Sequence, residues 1–180
     1  MNKTIDTQYI GQNILESICK FNIPLEARHI TGNVREELIS YINENVNNKA
    51  YGVNYILNID TASIKNELPL LALNNNIYTY NYQLQLPVKY LYFVKDQELK
   101  AYIDIYEDGE NLKAIAYTKF LICYINIDNQ YTINLTDRYI TYKGKKYKSQ
   151  DECFIRITDI VSSTGLDKVL GYAIIIDDYE

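Results

Sequence analysis

The chain has 180 residues, 47% of them hydrophobic, which is enough for one large domain or two small domains with packed cores. The formal net charge of −5 and a pI near 5.0 exclude a strong basic field that would attract nucleic acid by electrostatics alone. Three cysteines without a CxxC pair indicate a reducing compartment. With no apolar run of about 18 residues, the sequence predicts a cytoplasmic protein that is neither secreted nor bound in a membrane.

The first 20 residues are predicted to form an N-terminal extension. Four apolar residues recur there at helical spacing, which predicts either a short amphipathic helix or a frayed end that docks on the surface. These residues are Ile10, Ile14, Leu15 and Ile18. After this extension, residues 21–30 favour a β-strand, which Pro24 interrupts.

A helix is predicted to begin directly after Asn33. Asn33 is a favoured N-cap residue, and Glu36 stands three positions later, where a capping box has its acidic side chain. Asn47 and Asn48 can end the helix because asparagine tolerates the left-handed conformation. Four apolar residues between these ends recur at every fourth position and form the buried stripe of an amphipathic helix, namely Val34, Leu38, Ile42 and Val46.

Three further segments complete the predicted N-terminal domain. The alternation in residues 51–59 predicts a second strand, and residues 60–76 are rich in turns, with one short strand at 70–73. Residues 78–93, YTYNYQLQLPVKYLYF, alternate almost without a break and predict one long strand, with Pro87 at an edge, a bulge or a bend. This strand buries one face before the proline and both faces after it, so we expect it to leave one sheet and enter another.

The second half of the chain predicts a small β-barrel. Short alternating segments follow one another at a spacing of about 8 to 12 residues, separated by turns, and no crossover helix lies between them. Five or so antiparallel strands of this kind favour a barrel. The predicted fold is therefore an α+β N-terminal domain, one main helix on a small antiparallel sheet over residues 21–94, followed by an all-β barrel over residues 95–180.

The residue inventory offers little catalytic chemistry. His29 is the only histidine, and without a second histidine or a cysteine pair it cannot assemble a zinc site. The sequence has no Walker loop, no glycine-rich dinucleotide motif and no recognisable pair of nucleophile and base. We therefore expect that the chain is not an enzyme and that it needs no metal or cofactor.

One basic cluster, YKGKKYK at residues 142–148, combines lysines with tyrosines. Single-stranded nucleic acid requires charge for its phosphates and rings for base stacking, and this cluster offers both. A solvated hairpin loop has the same composition. Lys145 and Lys146 are accordingly candidate RNA contacts, with the hairpin interpretation left open.

The order of these elements resembles the stalk subunit of eukaryotic-type and archaeal DNA-directed RNA polymerases. That family includes the seventh subunit of polymerase II, the archaeal E-type subunit and the reduced poxvirus version. The resemblance is strongest at the junction, LPVKYLYFVKDQELKAYIDIYEDG at residues 86–109, and extends to IPLEARHITGNVREELISYI at 23–42 and GYAIIIDD at 171–178. The spacing between elements is closest to the poxvirus version, which indicates a viral polymerase.

The resemblance implies a tip domain that docks on the polymerase core and an OB-fold barrel that projects towards exiting RNA. The chain would then be a non-catalytic subunit, partnered by the large polymerase subunits and only weakly by nascent RNA, and not a homo-oligomer by preference. A viral protein of this kind would be found in the cytoplasm, in viral factories or in the virion. Core docking is expected at His29, Thr31, Asn33, Asp60, Lys65 and Leu70. RNA-facing residues are expected to be Lys100, Tyr102, Tyr117, Lys119, Tyr124, Lys145 and Lys146.

Two other functions remain open from the sequence. A tyrosine- and asparagine-rich β-protein without catalytic residues is also typical of structural or assembly proteins of virus and phage particles. A free OB-fold module that binds single-stranded nucleic acid is the third possibility.

Overall fold

A computed structural model describes residues 13–26, 33–64, 70–73, 79–109, 111–128, 130–134 and 136–176. Within these residues the chain forms one α-helix and fourteen strands. The N-terminal elements are β1 (Ile14–Glu26), α1 (Val34–Asn45), β2 (Ala50–Gly52), β3 (Asn54–Ile59), β4 (Leu70–Leu73) and β5 (Thr79–Tyr92). The C-terminal elements are β6 (Glu98–Asp108), β7 (Asn111–Tyr117), β8 (Leu121–Ile125), β9 (Tyr131–Asn134), β10 (Tyr139–Tyr142), β11 (Lys145–Tyr147), β12 (Glu152–Val161), β13 (Ser163–Thr164) and β14 (Val169–Ile176).

The N-terminal sheet has the strand order β1-β5-β3-β2-β13, and β4 also pairs with β5. Helix α1 packs on one face of this sheet and buries Leu38 and Ile42 completely, which confirms the predicted helix and its apolar stripe. The Asn33 side chain caps the helix by accepting a hydrogen bond from the Arg35 amide at 3.2 Å. At the other end, Asn48 adopts the left-handed conformation with a φ of 57°.

Two sequence predictions for this region are wrong. Residues 14–20 belong to a strand and not to a helix, because β1 pairs with β5 over its full length of 13 residues and this ladder outweighs the helical spacing. Residues 51–59 form a hairpin of β2 and β3 and not a single strand. Gly52 has a φ of 65°, and Val53 lies in the turn with 43% of its surface exposed. The short strand predicted at 70–73 is confirmed as β4.

Strand β5 changes the face that it buries partway along its length. Leu86 and Val88 pack in the core beneath the helix, which we call the helical core. Leu91 and Phe93, the residue directly after β5, point to the opposite side of the sheet. They pack in a second core, which we call the barrel core. The strand continues through Pro87, whose carbonyl accepts a hydrogen bond from the Asp60 amide at 2.9 Å. The prediction of one long strand that contributes to both halves is confirmed, but the expectation that it leaves one sheet and enters another is wrong. All the strands that pair with it, β1, β3 and β4, belong to the N-terminal sheet.

Five C-terminal strands form a closed barrel in the order β6-β7-β8-β14-β12, and β12 pairs with β6 to complete it. Numbered within the barrel, the order is 1-2-3-5-4-1. A barrel was predicted with antiparallel strands only, but the pair of β8 and β14 is parallel. Gly171 on β14 lies beneath a bulge of β12, where an added Cβ would lie 2.8 Å from the Asp159 carbonyl oxygen, so this position requires glycine.

A three-stranded sheet, β11-β10-β9, is inserted between β8 and β12. Its buried side chains, Tyr131, Ile140, Tyr142 and Tyr147, belong to the barrel core. The Tyr131 hydroxyl oxygen accepts a hydrogen bond from the Ile175 amide at 3.1 Å, beyond the point where β14 pairs with β8. Burial raises the pKa of Tyr131, so its hydroxyl group stays neutral and serves as a partner for a buried backbone amide.

The loop between β12 and β14 attaches the barrel to the N-terminal sheet. Its short strand β13 pairs with β2 and becomes the last strand of that sheet. The Ala50 amide donates to the Leu166 carbonyl at 2.8 Å, and the Gly165 amide donates to the Ala50 carbonyl at 2.9 Å. Beside them, the rings of Tyr55 and Phe120 meet across the junction with 4.7 Å between centroids. The two halves are therefore joined by β5, by β13 and by a common barrel core.

We expect Leu86→Ala and Leu91→Ala each to lower the free energy of unfolding by about 2–5 kcal/mol, because both leucines are buried and each belongs to a different core. Since one strand carries both residues, both variants should shift the same cooperative transition, measured by denaturant unfolding and by amide hydrogen exchange. Gln85→Ala on the exposed face of the strand is the control and should change stability by about 0.5 kcal/mol or less. Two separate transitions, each moved by only one variant, would contradict this coupling.

Candidate nucleic-acid interface

The outer face of the barrel carries a group of exposed tyrosines. Because side chains alternate along each strand, Tyr102 and Tyr106 point outward from β6, Tyr124 from β8 and Tyr172 from β14. Their exposed fractions are 46%, 36%, 40% and 46% respectively. Tyr117 on β7 is half-buried on the same face. Exposed rings of this kind are the groups on which unpaired bases stack.

The strand register sorts four of these rings into two pairs. Tyr102 lies opposite Tyr117 in the β6–β7 ladder, with 6.0 Å between ring centroids. Tyr124 lies opposite Tyr172 in the parallel β8–β14 ladder, with 5.9 Å between centroids. Ile115 pairs with Tyr124 and lies two residues before Tyr117 on β7. The two tyrosine pairs are therefore neighbours on the outer face of the barrel, separated by the apolar side chain of Ile115.

The lysines on β6 and β7 are neutralised by neighbouring carboxylates. The Lys100 ammonium lies 2.7 Å from a carboxylate oxygen of Glu152, and the Tyr102 hydroxyl donates to the same side chain at 3.3 Å. The hydrogen bond from Lys100 holds the pKa of Glu152 below its usual value. Lys113 forms an ion pair with Asp108, and that hydrogen bond raises the pKa of Lys113. These cations offer little uncompensated charge to a phosphate.

Two other lysines are held against aromatic rings. Lys168 donates to the Thr118 carbonyl at 2.7 Å and lies 5.2 Å from the centroid of Tyr117, and burial lowers its pKa. The Tyr117 hydroxyl donates in turn to Gln150 at 2.8 Å. Lys119 lies 5.0 Å from the ring centroid of Phe120. One face of Tyr117 is therefore covered, and this residue is a poorer stacking platform than Tyr102 or Tyr124.

The basic cluster at residues 142–148 forms the β10–β11 hairpin, with exposed lysines and buried rings. Lys145 lies 5.1 Å from the ring centroid of Tyr147, and Lys146 lies 4.6 Å from that of Tyr139. Tyr142 and Tyr147 retain only 7% and 1% exposure, because alternate residues of the hairpin face the barrel core. The suggestion that these rings stack on bases is therefore wrong, and only the lysine charges remain available.

The expected RNA-facing residues thus divide into separate groups. Lys100, Tyr102 and Tyr117 lie together on β6 and β7, whereas Tyr124 lies with Tyr172 on β8 and β14. The sequence reasoning missed Tyr106 and Tyr172. The alternation in the segment VLGYAIII could have identified Tyr172 as an outward residue of the closing strand.

Of the expected core-docking residues, His29, Thr31 and Lys65 fall outside the described residues, and the other three lie in or beside elements of the N-terminal sheet and helix. Asn33 caps α1, and the Asp60 carboxylate caps a single 3-10 turn at Thr61–Ser63 by accepting from the Ala62 amide at 3.1 Å. Leu70 begins β4 and pairs with Tyr82. The Arg35 guanidinium donates to the Ile64 carbonyl at 2.9 Å, which brings the start of the helix beside the turn.

Two of the cysteines in the described part of the chain are buried in the barrel. Cys123 and Cys153 are buried in the barrel core, and burial raises the pKa of each thiol to about 12, so neither is a nucleophile. No group of three or more potential metal ligands occurs among the described residues. The same residues include no helix that is long and apolar enough to cross a membrane.

Comparison with models of protein families and with curated proteins gave no match for this chain.

We expect the full chain to bind a single-stranded RNA oligonucleotide weakly and with little dependence on salt, because the lysines on β6 and β7 are paired with carboxylates. The slope of log K against log salt should correspond to about two phosphate contacts or fewer. Tyr124→Ala should weaken the binding about fivefold or more through loss of stacking. Ile133→Ala, at the equally exposed position on β9, is the matched control in a fluorescence anisotropy titration. Tight binding with a steep salt slope would contradict this account of the charges.

Proposed function

We propose that the chain is a non-catalytic, stalk-like subunit of a viral multisubunit DNA-directed RNA polymerase. The observation that supports the proposal is the architecture: within the described residues, a sheet with one helix is followed by a closed five-stranded barrel, and β5 of the sheet contributes side chains to both cores. The resemblance to the stalk family implies the same order of elements. The tip domain would dock on the large polymerase subunits, and the barrel would project towards exiting RNA. The chain would then act by geometry, with no chemical step of its own.

The OB-fold forms one part of this proposal. The closed five-stranded barrel with the strand order 1-2-3-5-4-1, in which strands 3 and 5 are parallel, supports an OB-fold, which is a five-stranded Greek-key barrel. In such barrels the face of strands 2 and 3 binds oligonucleotides, together with the loops between strands 1 and 2 and between strands 4 and 5. The corresponding strands here are β7 and β8, which carry Tyr117 and Tyr124.

The loop between strands 4 and 5 of the barrel favours an architectural role over strong RNA binding. This loop contains β13, which pairs with β2 of the N-terminal sheet. Its backbone groups at Gly165 and Leu166 are bonded to Ala50, so the loop cannot close over a nucleic acid without leaving the sheet. Contact with RNA would then be limited to the tyrosine face, where the charges are compensated.

The docking surface is proposed to include the start of α1 and the turn at Thr61–Ser63. These segments adjoin through the bond from Arg35 to Ile64. Asn33 and Asp60 use their side-chain oxygens to cap these elements, so their main role would be to fix the shape of the surface. Rigid loops presented by a packed scaffold are typical binding sites.

A free module that binds single-stranded nucleic acid is the second candidate function. The two exposed tyrosine pairs on the barrel favour it. The salt dependence of RNA binding separates it from the first proposal, because a free module needs uncompensated cations to hold the phosphates.

We expect a tagged chain, expressed during infection of the cells in which its virus replicates, to co-purify with the large polymerase subunits. Ala62→Arg, an exposed change within the proposed docking surface, should reduce their recovery at least about tenfold, since a buried charge without a partner weakens an interface strongly. Ile133→Arg, an exposed change in the three-stranded sheet, is the control and should leave recovery unchanged. Quantitative mass spectrometry measures the recovery of the polymerase subunits with each variant. Capsid or tail proteins as the main partners would contradict the polymerase proposal.

A further inference from the structure

Among the described residues, strand β1 forms a long edge of the N-terminal sheet. It pairs with β5 on one side over 13 residues, and no other strand within the described residues pairs with its outer side. An unpaired edge presents a row of backbone donors and acceptors and readily accepts another strand. The opposite end of the sheet differs, because it is closed by the short strand β13.

The N-terminal half of β1 exposes apolar side chains on both faces of the sheet. Ile18 is 70% exposed, the highest value among the large hydrophobic residues that the structure describes, and Leu15 is 48% exposed. Because side chains alternate, these two residues point to opposite faces. A strand added beside β1 would cover both at once, whereas a partner that covers only one face would leave the other exposed.

The charges around Ile18 are self-complementary. Glu16 and Lys20 are exposed and lie at equal distances on either side of Ile18. If two copies of β1 pair antiparallel with Ile18 opposite Ile18, Glu16 of each copy lies opposite Lys20 of the other. An isologous two-fold contact requires a surface that matches itself in this way, and opposite charges across a ladder stabilise it.

We propose that β1 pairs antiparallel with β1 of a second copy of this chain, centred on Ile18. The two sheets then form one continuous sheet, and Ile18 of each copy is covered by its counterpart and flanked by Pro87, its partner on β5. Glu16 already lies 3.3 Å from Lys89 on β5, so Lys20 of the second copy completes a row of alternating charge.

The register also explains which part of the edge is used. Pairing centred on Ile18 spans residues 14–22 of each copy and leaves out Pro24, which has no amide hydrogen to donate. On the other face, Leu15 has the same register position as Phe21 of the second copy, which is already fully buried in its own helical core. The apolar contact between the copies is therefore made mainly by Ile18 on the first face.

This self-association goes beyond the proposed function and does not rest on it. It also departs from the expectation that the chain does not prefer homo-oligomers. One strand pair buries less area than the roughly 1,200 Å² typical of stable complexes. We therefore expect a dimer that forms at a concentration of about 10–100 µM, corresponding to a modest association free energy.

The test is a charge exchange in the full chain, followed by sedimentation equilibrium over a range of concentrations. Glu16→Lys alone places lysine opposite lysine, and Lys20→Glu alone places glutamate opposite glutamate, so each should weaken the dimer at least about tenfold. The double variant E16K/K20E restores opposite charges and should return to wild-type affinity. An equimolar mixture of the two single variants should form a heterodimer, because lysines of one chain then lie opposite glutamates of the other. Each single variant on its own should associate only weakly with itself.

Circular dichroism of every variant checks that the fold is intact, and Ile133→Asn on β9 serves as the exposed control for Ile18→Asn. Ile18→Asn should abolish the dimer, and Ile133→Asn should not. A chain that stays monomeric up to about 1 mM, or single reversals without effect, would overturn the proposal. Failure of the double variant to recover would show that another surface or register is used, and would overturn it equally.

Discussion

The architecture depends on the change of buried face along β5. Up to Val88 the strand contributes to the helical core, and from Leu91 onward it contributes to the barrel core. A strand can do this only where other elements cover both faces, and Tyr90 lies at this crossover, partly buried against the helical core. Bending the molecule here would break ladder bonds to β1 and β3 and expose side chains from both cores. The relative orientation of the two halves is therefore fixed by packing and not by a linker.

The second attachment, β13, has a direct consequence for function. The loop between β12 and β14 is bonded to the edge of the N-terminal sheet, and in the proposed OB-fold this loop would border the ligand face. The chain keeps a tyrosine face on the barrel but neutralises the lysines on β6 and β7 through Glu152 and Asp108. These features favour a protein that holds its barrel at a fixed angle to the N-terminal sheet over one that binds nucleic acid tightly. The proposed role as a polymerase stalk subunit makes use of this rigidity.

Local sequence signals predicted the elements whose stability is local. Asn33 and the apolar stripe identified α1, and alternation identified β5. The recurring short segments and turns predicted a barrel without assigning its individual strands. The errors arose where a distant partner decides the structure. Residues 14–20 have helical spacing, but their pairing with β5 makes them a strand. The parallel pairing of β8 with β14, the docking of β13 and the burial of Tyr142 and Tyr147 depend on contacts remote in sequence. The tyrosine face was predicted in part, through Tyr102, Tyr117 and Tyr124, whereas Tyr106 and Tyr172 were missed.

The fixed orientation of the two halves is tested most directly by a distance measurement with paired spin labels. Ser40 on α1 and Tyr172 on β14 are exposed, and each can be replaced by cysteine in a Cys19→Ser background. Cys123 and Cys153 should stay unlabelled, because they are buried and their pKa is raised to about 12. Dilute samples, well below the concentration at which copies associate, should give one narrow distance distribution, as narrow as that of a control pair at Lys100 and Tyr172 within the barrel. A broad or two-peaked distribution for Ser40 and Tyr172, with a narrow one for the control, would contradict the account.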